Sequence, residues 1–192
     1  MNVDRKASAE ILPLIVNRWS PRSFDGSPVP EKELLTMVEA AGWAASAFNV
    51  QPWTFLYALP GDANWERFLS LLVEFNQSWA KDAGAVLFVV SQETSGPENQ
   101  PLWSHSFDAG AAWANLSLQA LHMGWHTHGM TGIQFDEARA ELGIPEGYRL
   151  EAAIAVGRQA PADRLPEGLR GGEVPSDRKP VNEIAIAGNW PA

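Results

Sequence analysis

The stretch Asn17-Arg18-Trp19-Ser20-Pro21-Arg22-Ser23-Phe24-Asp25 sets two arginines and a serine at alternate positions, Arg18, Ser20 and Arg22. In extended chain, side chains two residues apart share a face, so two guanidinium forks and a hydroxyl can converge on one anion. A protein without a glycine cradle can hold a phosphate in this way. The competing reading is a solvated basic turn, because charged side chains mostly sit at the surface. The background is acidic: 192 residues carry a net charge of −9, so a local positive site stands out. The same charge argues against nucleic acid or an anionic membrane as a partner.

Composition narrows the class further. Hydrophobic residues make 45% of the chain and charged residues 19%, which excludes general disorder and suits one domain over 1–192 with a sizeable core. There is no cysteine, so disulfide frameworks, thiolate zinc sites and thiol catalysis are excluded together. No apolar signal region precedes the first charged helix, and no apolar run reaches membrane-spanning length; the expectation is a cytoplasmic protein. Nine tryptophans suit core or interface anchors, or the walls of a pocket for a flat ligand.

Along the chain, Ser8 to Asn17 reads as a short helix, with Ser8 as its cap and Ile11, Leu12, Leu14 and Ile15 on its apolar face; Pro13 is tolerated near its start. Asp25-Gly26-Ser27-Pro28 is turn chemistry, and Pro30-Glu31-Lys32-Glu33 opens a second, amphipathic helix. It runs into Ala44-Ala45-Ser46-Ala47-Phe48-Asn49-Val50-Gln51-Pro52-Trp53. Small residues there permit close approach of a ligand, Asn49 and Gln51 carry paired donors and acceptors, and Pro52 stops the helix; a plain polar connection is the alternative. A strand follows over 54–59, a helix over 65–75, and a buried strand over 84–90. Residues 91–106 are polar and aperiodic, as in a lid or binding loop. Phe107 to Gly124 is apolar around nearly its whole circumference and must be buried on more than one side. A strand then leads to a glycine-punctuated loop at Met130-Thr131-Gly132. A short helix over 135–142, a strand over 151–156 and a Pro/Gly-rich arm over 160–175 follow. His122, His126 and His128 invite a metal reading, against which Gly124 breaks the helix and no carboxylate stands at ligand spacing. No metal is expected.

Arg18-x-Ser20-x-Arg22-x-Phe24 resembles the opening signature of the nitroreductase-like flavoproteins. Ser46-Ala-x-Asn49-x-Gln51-Pro52-Trp53 resembles their second, with Ala45 where a proline is common. The resemblance spans Arg18 to Ile184 and implies an α+β nitroreductase-like fold, with a central mixed, mostly antiparallel sheet flanked by helices, in an intertwined homodimer. It further implies bound FMN, with NADH or NADPH as a transient co-substrate. In its terms Arg18, Ser20 and the Arg178 of Asp177-Arg178-Lys179-Pro180 hold the phosphate. Arg22, where lysine is frequent in relatives, supports charge on the reduced ring. Asn49, Asn76 and the Met130, Thr131 and Gly132 backbone fix the ring. Trp19, Ala47 and Gln51 complete the expected cofactor contacts, and Ser46 and Asn49 cross a twofold interface. Trp79 stands where a lysine is often seen, the 107–124 helix lies at the dimer interface, and the tail through Trp190 wraps the partner subunit.

No Gly-x-Gly-x-x-Gly, Walker loop, Gly-x-Ser-x-Gly elbow or zinc-protease motif competes with this reading. The resemblance therefore implies a ping-pong reductase of nitroaromatics, quinones or similar flat acceptors, whose protons come from water. The alternatives are a specialised reductive dehalogenase or enone reductase, and a non-catalytic FMN-binding or storage protein.

Overall fold

The computed structural model describes Arg5 and residues 7–190. Four strands form the main sheet: β1 (Trp53–Ala58), β2 (Ala85–Gln92), β5 (His126–Met130) and β6 (Tyr148–Gly157), in the order β1-β2-β6-β5. All three pairings are antiparallel. The mixed sheet expected above is thus corrected. β2 and β5 do run in the same direction, joined by the long helix α5 (His105–His122), but β6 lies between them and the parallel pair shares no ladder. A small ribbon of β3 (Thr94–Ser95) and β4 (Gln100–Pro101) stands apart.

β2 is buried along nearly its whole length because both sheet faces are covered. Leu87 and Val89 point to the layer formed by α2 (Glu31–Gly42) and α5, with Leu34, Met37, Ala41 and Leu116. Val86, Phe88 and Val90 point to the other layer, with Phe68, Leu72, Trp79 and Ile133. That layer comes from α3 (Trp65–Ser70), α4 (Glu74–Ala80) and α6 (Phe135–Glu141).

Four local expectations change. The first helix is only α1 (Pro13–Asn17): proline holds the residue before it, Leu12, in extended backbone and itself suits a helix start. Its apolar side chains are exposed in the single chain, Leu12 at 67%. The helix expected over 65–75 is two, α3 and α4, broken where Leu72 bridges to Ile133. The 91–106 loop is mostly structured: Ser91 and Gln92 end β2, the β3–β4 ribbon follows, and His105 opens α5. The 160–175 arm folds back on the body through a 3-10 turn (Ala162–Arg164) and α7 (Glu167–Arg170), burying Leu165 and Glu173. α8 (Val181–Ile184) and the tail to Trp190 stay exposed.

β6 carries one irregularity. Val89 faces Ala152 and Val90 faces Leu150, so Glu151 is an extra residue, a β-bulge. Strict alternation would place Glu151 with Ala153 on the α4 side, but Leu150 occupies that side. Glu151 therefore shares the α5 side with Ala152 and Ile154.

Candidate active site

A cavity of about 740 Å³ lies along α5, between that helix and the β5–β6 edge of the sheet. It exists because the α5 face turned toward it carries mostly small side chains, Ala109, Gly110, Ala114 and Ser117, with Trp113 and Leu118 as the larger ones. Trp113 also fixes Gly129 of β5, where an added Cβ would lie 3.1 Å from the indole. Of the residues singled out in the sequence, Arg18, Ser20, Met130 and Thr131 line this cavity.

Positive charge gathers at Arg18. Its guanidinium donates to Ser20 Oγ at 3.1 Å. Burial holds the Arg18 pKa below the ordinary arginine range, and the charges of Arg178 and Arg5 lower it further. Arg5 is lowered in the same way, first by burial and then by Arg178. No carboxylate pairs with Arg18 among the described residues. The Asp177 carboxylate offsets part of this repulsion at Arg5, yet none of the three guanidinium groups forms an ion pair among the described residues, which leaves a cationic site suited to an anion. The structure thus brings Arg18 and Arg178 into each other's field from distant parts of the chain. Arg5, which the motifs did not flag, donates to the Val16 and Arg18 carbonyls at 3.2 and 3.0 Å. Nε of Arg22 and Nε of Arg5 are both buried without a hydrogen-bond partner.

Two residues outside the motifs hold the arginine stretch in place. Glu173 Oε1 accepts the Arg22 and Ser23 amides at 2.8 Å each, so the arm caps the backbone of the anion site. His128 Nδ1 lies 3.0 Å from the Pro21 carbonyl and must donate to it, which sets the tautomer. Burial holds the His128 pKa down, and the charges of Arg22 and Arg18 lower it further. Its other side packs on Trp79, with ring centroids 4.7 Å apart. Trp79 is thereby a core residue. Trp19 is buried at 6% exposure and does not line the cavity.

Asn76 is buried in the first turn of α4 and donates to the Gly132 carbonyl at 3.1 Å. It holds the loop after β5 and does not line the cavity. A Cβ on Gly132 would meet Asn76 Nδ2.

The second motif lies elsewhere. Ser46, Ala47, Asn49 and Gln51 do not line the cavity of their own chain, and Asn49 and Gln51 are exposed. This short segment is strained: Phe48, Asn49 and Gln51 have φ of 50°, 57° and 54°. Asp108, buried at the start of α5, accepts the Ala47 amide at 3.1 Å, and Ser46 Oγ accepts the Gln51 amide at 3.0 Å. The strained segment is thus pinned, with Phe48 projecting fully into solvent.

Among the described residues no group of three histidine or carboxylate side chains could hold a metal. His122 is exposed, whereas His126 is buried with Nδ1 unpartnered. Burial pushes His126 down to about 4. Between that value and the usual 6.5 or so of an unfolded chain, the unfolded state binds more protons, so stability rises with pH. The contribution is complete above the unfolded value and lost as pH falls toward the folded one. Urea titrations at pH 7 and pH 5 should show wild type losing about 2 kcal/mol more than His126→Phe on acidification. Equal losses would show that His126 is free to charge in the folded state.

The chain matches the model of the nitroreductase family over residues 15–158. A solved structure described as an oxidoreductase containing FMN is 45% identical, covers 100% of this chain and 98% of its own, and superposes with a TM-score of 0.95. An uncharacterized 15.4 kDa protein of Mycolicibacterium smegmatis is 32% identical over 67% of this chain and 88% of its own length. A putative NAD(P)H nitroreductase of Bacillus subtilis is 24% identical over 92% of this chain and 98% of its own. With most of its length matched and its arginine and loop motifs gathered in one region, the chain belongs to the nitroreductase family, a family of oxidoreductases.

Proposed function

We propose that the chain is a homodimeric, FMN-dependent oxidoreductase of the cytoplasm. It oxidises NADH or NADPH and reduces a nitroaromatic, quinone or similar flat acceptor by ping-pong turnover. One observation carries the reading: Arg18 lines a cavity of the size that holds small-molecule cofactors, within the field of Arg5 and Arg178, and none of the three forms an ion pair among the described residues. The 45%-identical structure described as containing FMN supports the identity of the ligand.

When bound, FMN supplies hydride transfer, and the protein supplies position and charge. Arg18, Ser20 and Arg178 hold the phosphate, with Arg5 adding a fourth contact. The buried Arg22 Nε brings positive charge to the ring edge that becomes negative on reduction. Its planar fork differs from the lysine of relatives, so the redox potential should differ too. Asn76 fixes the Gly132 carbonyl, which aims the Met130–Gly132 backbone at the ring. Ser46, Ala47, Asn49 and Gln51 reach the cavity of a twofold partner. That assignment fits their exposure, the strain at Phe48, and the apolar surface left bare by Trp43, Phe48, Trp103 and Phe107.

The test is direct. Purified protein should be yellow or take up added FMN, and under anaerobic conditions NADPH or NADH should bleach the flavin absorbance rapidly. Persistent colour would make the chain a flavin-binding protein without turnover. A protein that takes up no FMN would overturn the reading.

A further inference from the structure

Resting on the flavin reading above, the geometry points to a proton relay of His105, Ser91 and Glu151 that supplies the proton needed to reduce nitro groups. Glu151 and Ser106 line the main cavity, while His105 lines a second one of about 490 Å³ beside the β3–β4 ribbon. Ser91 lies between them and is fully buried. Its Oγ is 2.8 Å from His105 Nδ1 and donates to Glu151 Oε1 at 2.6 Å. Ser106 Oγ donates to the same carboxylate oxygen at 2.7 Å, and His105 Nδ1 lies 3.3 Å from it. A hydroxyl both accepts and donates, so Ser91 completes an unbroken path from the outer cavity to the main one. The charged groups around the path are Arg149, whose Nε is 3.5 Å from Glu151 Oε2, and Glu93 and Glu146, which line the outer cavity with His105.

Two further observations favour chemistry over packing. Glu151 is the bulge residue of β6, and bulges re-aim side chains at the expense of ladder hydrogen bonds. A partly buried ion pair is a weak source of stability, so fold stability alone does not explain it. Among the described residues lining the main cavity, Glu151 and Arg18 are the titratable ones, and arginine does not release its proton. Glu151 is therefore the group that can acidify the acceptor.

The step balances with one hydride and one proton. Nitrobenzene takes a hydride from the reduced cofactor, and the resulting oxyanion takes a proton from the Glu151 carboxyl. The N–H bond made by the hydride and one N–OH bond then break, the nitrogen-bound hydrogen leaving as a proton with the hydroxide, so that water departs and nitrosobenzene remains, reduced by two electrons. Glu151 regains its proton as the Ser91 hydroxyl proton moves to it and the His105 Nδ1 proton moves to Ser91. The relay therefore starts from the doubly protonated His105 ring, which is left as a neutral imidazole carrying Nε2–H and then turns to the outer cavity, where Nδ1 takes the next proton from solvent.

The experiment compares wild type with His105→Gln, Ser91→Ala and Glu151→Gln, each reduced anaerobically with NADPH and mixed with either nitrobenzene or ferricyanide. Ferricyanide accepts electrons without a proton. Reoxidation by nitrobenzene should slow roughly 100-fold or more in each variant, while ferricyanide rates change less than twofold. FMN affinity, from flavin fluorescence during titration of the cofactor-free chain, should also change less than twofold. Equal slowing with both acceptors, or lost FMN affinity, would overturn the relay in favour of a structural role. Undiminished nitrobenzene rates would overturn it in favour of water as the proton source. Wild type that is not bleached by NADPH would instead overturn the flavin-enzyme reading, and the relay with it.

Discussion

Arg18→Ala is expected to weaken FMN binding by roughly 10- to 150-fold, the loss that follows removal of a charge-assisted contact to a phosphate. The sign of the accompanying stability change is what makes this prediction sharp. In the cofactor-free chain Arg18 faces Arg178 and Arg5, is partly desolvated, and has no carboxylate partner among the described residues. Removing it relieves repulsion, so the melting temperature of the cofactor-free protein should hold or rise. The upward shift produced by adding FMN should shrink, because ligand stabilisation scales with affinity. Arg178→Ala, at an exposed position, should behave in the same way. Titration calorimetry and thermal melts with and without FMN check both variants. Unchanged affinity would remove the phosphate assignment. A collapse of the cofactor-free protein would instead make Arg18 a structural residue working through its bond to Ser20.

Gly84→Ala should be strongly destabilising. A Cβ there would run into the Ser27 carbonyl oxygen and sit 2.9 Å from the Val29 nitrogen, both of them backbone atoms that cannot swing aside. Gly84 also links two segments, accepting the Val29 amide at 3.0 Å and donating to Val156 at 2.8 Å. Its φ is ordinary, so the penalty is steric rather than conformational. Relief requires the 23–29 segment to lift from the start of β2, at a loss of about 3 kcal/mol. Denaturant titration reads this as a fall in midpoint. Because this segment continues directly from Arg18, Ser20 and Arg22, FMN affinity should fall in parallel. Gly42→Ala, with nothing near its added Cβ, should stay within about 0.5 kcal/mol of wild type. Equal midpoints for Gly84→Ala and wild type would show that the 23–29 segment is not clamped as described.

Wherever a few neighbouring residues decide the outcome, the sequence by itself was sufficient. The turn at Asp25–Pro28, the acidic start of α2 and the apolar sweep of α5 all follow from side-chain spacing and local hydrogen bonding. The motif resemblance also pointed to the α+β family fold. Pro13 was readable as a helix start, yet the apolar residues before it suggested a longer helix than the backbone beyond proline permits.

Tertiary structure alone decided what depends on distant partners. The break between α3 and α4 follows from the bridge of Leu72 to Ile133, which no local pattern announces. Glu173 lay in a stretch whose composition reads as linker, and only the fold shows it capping Arg22 and Ser23. Arg5 carried no motif and His128 was read only as a candidate metal ligand; their roles appear once Arg5 reaches the Arg18 carbonyl and Pro21 meets β5. Most plainly, an extra residue in β6 turned Glu151 from one sheet face to the other and set it against His105 and Ser91. Spacing reports which side chains share a face of one element. Which elements then meet, and which buried charges face each other, depends on close packing among segments far apart in the chain.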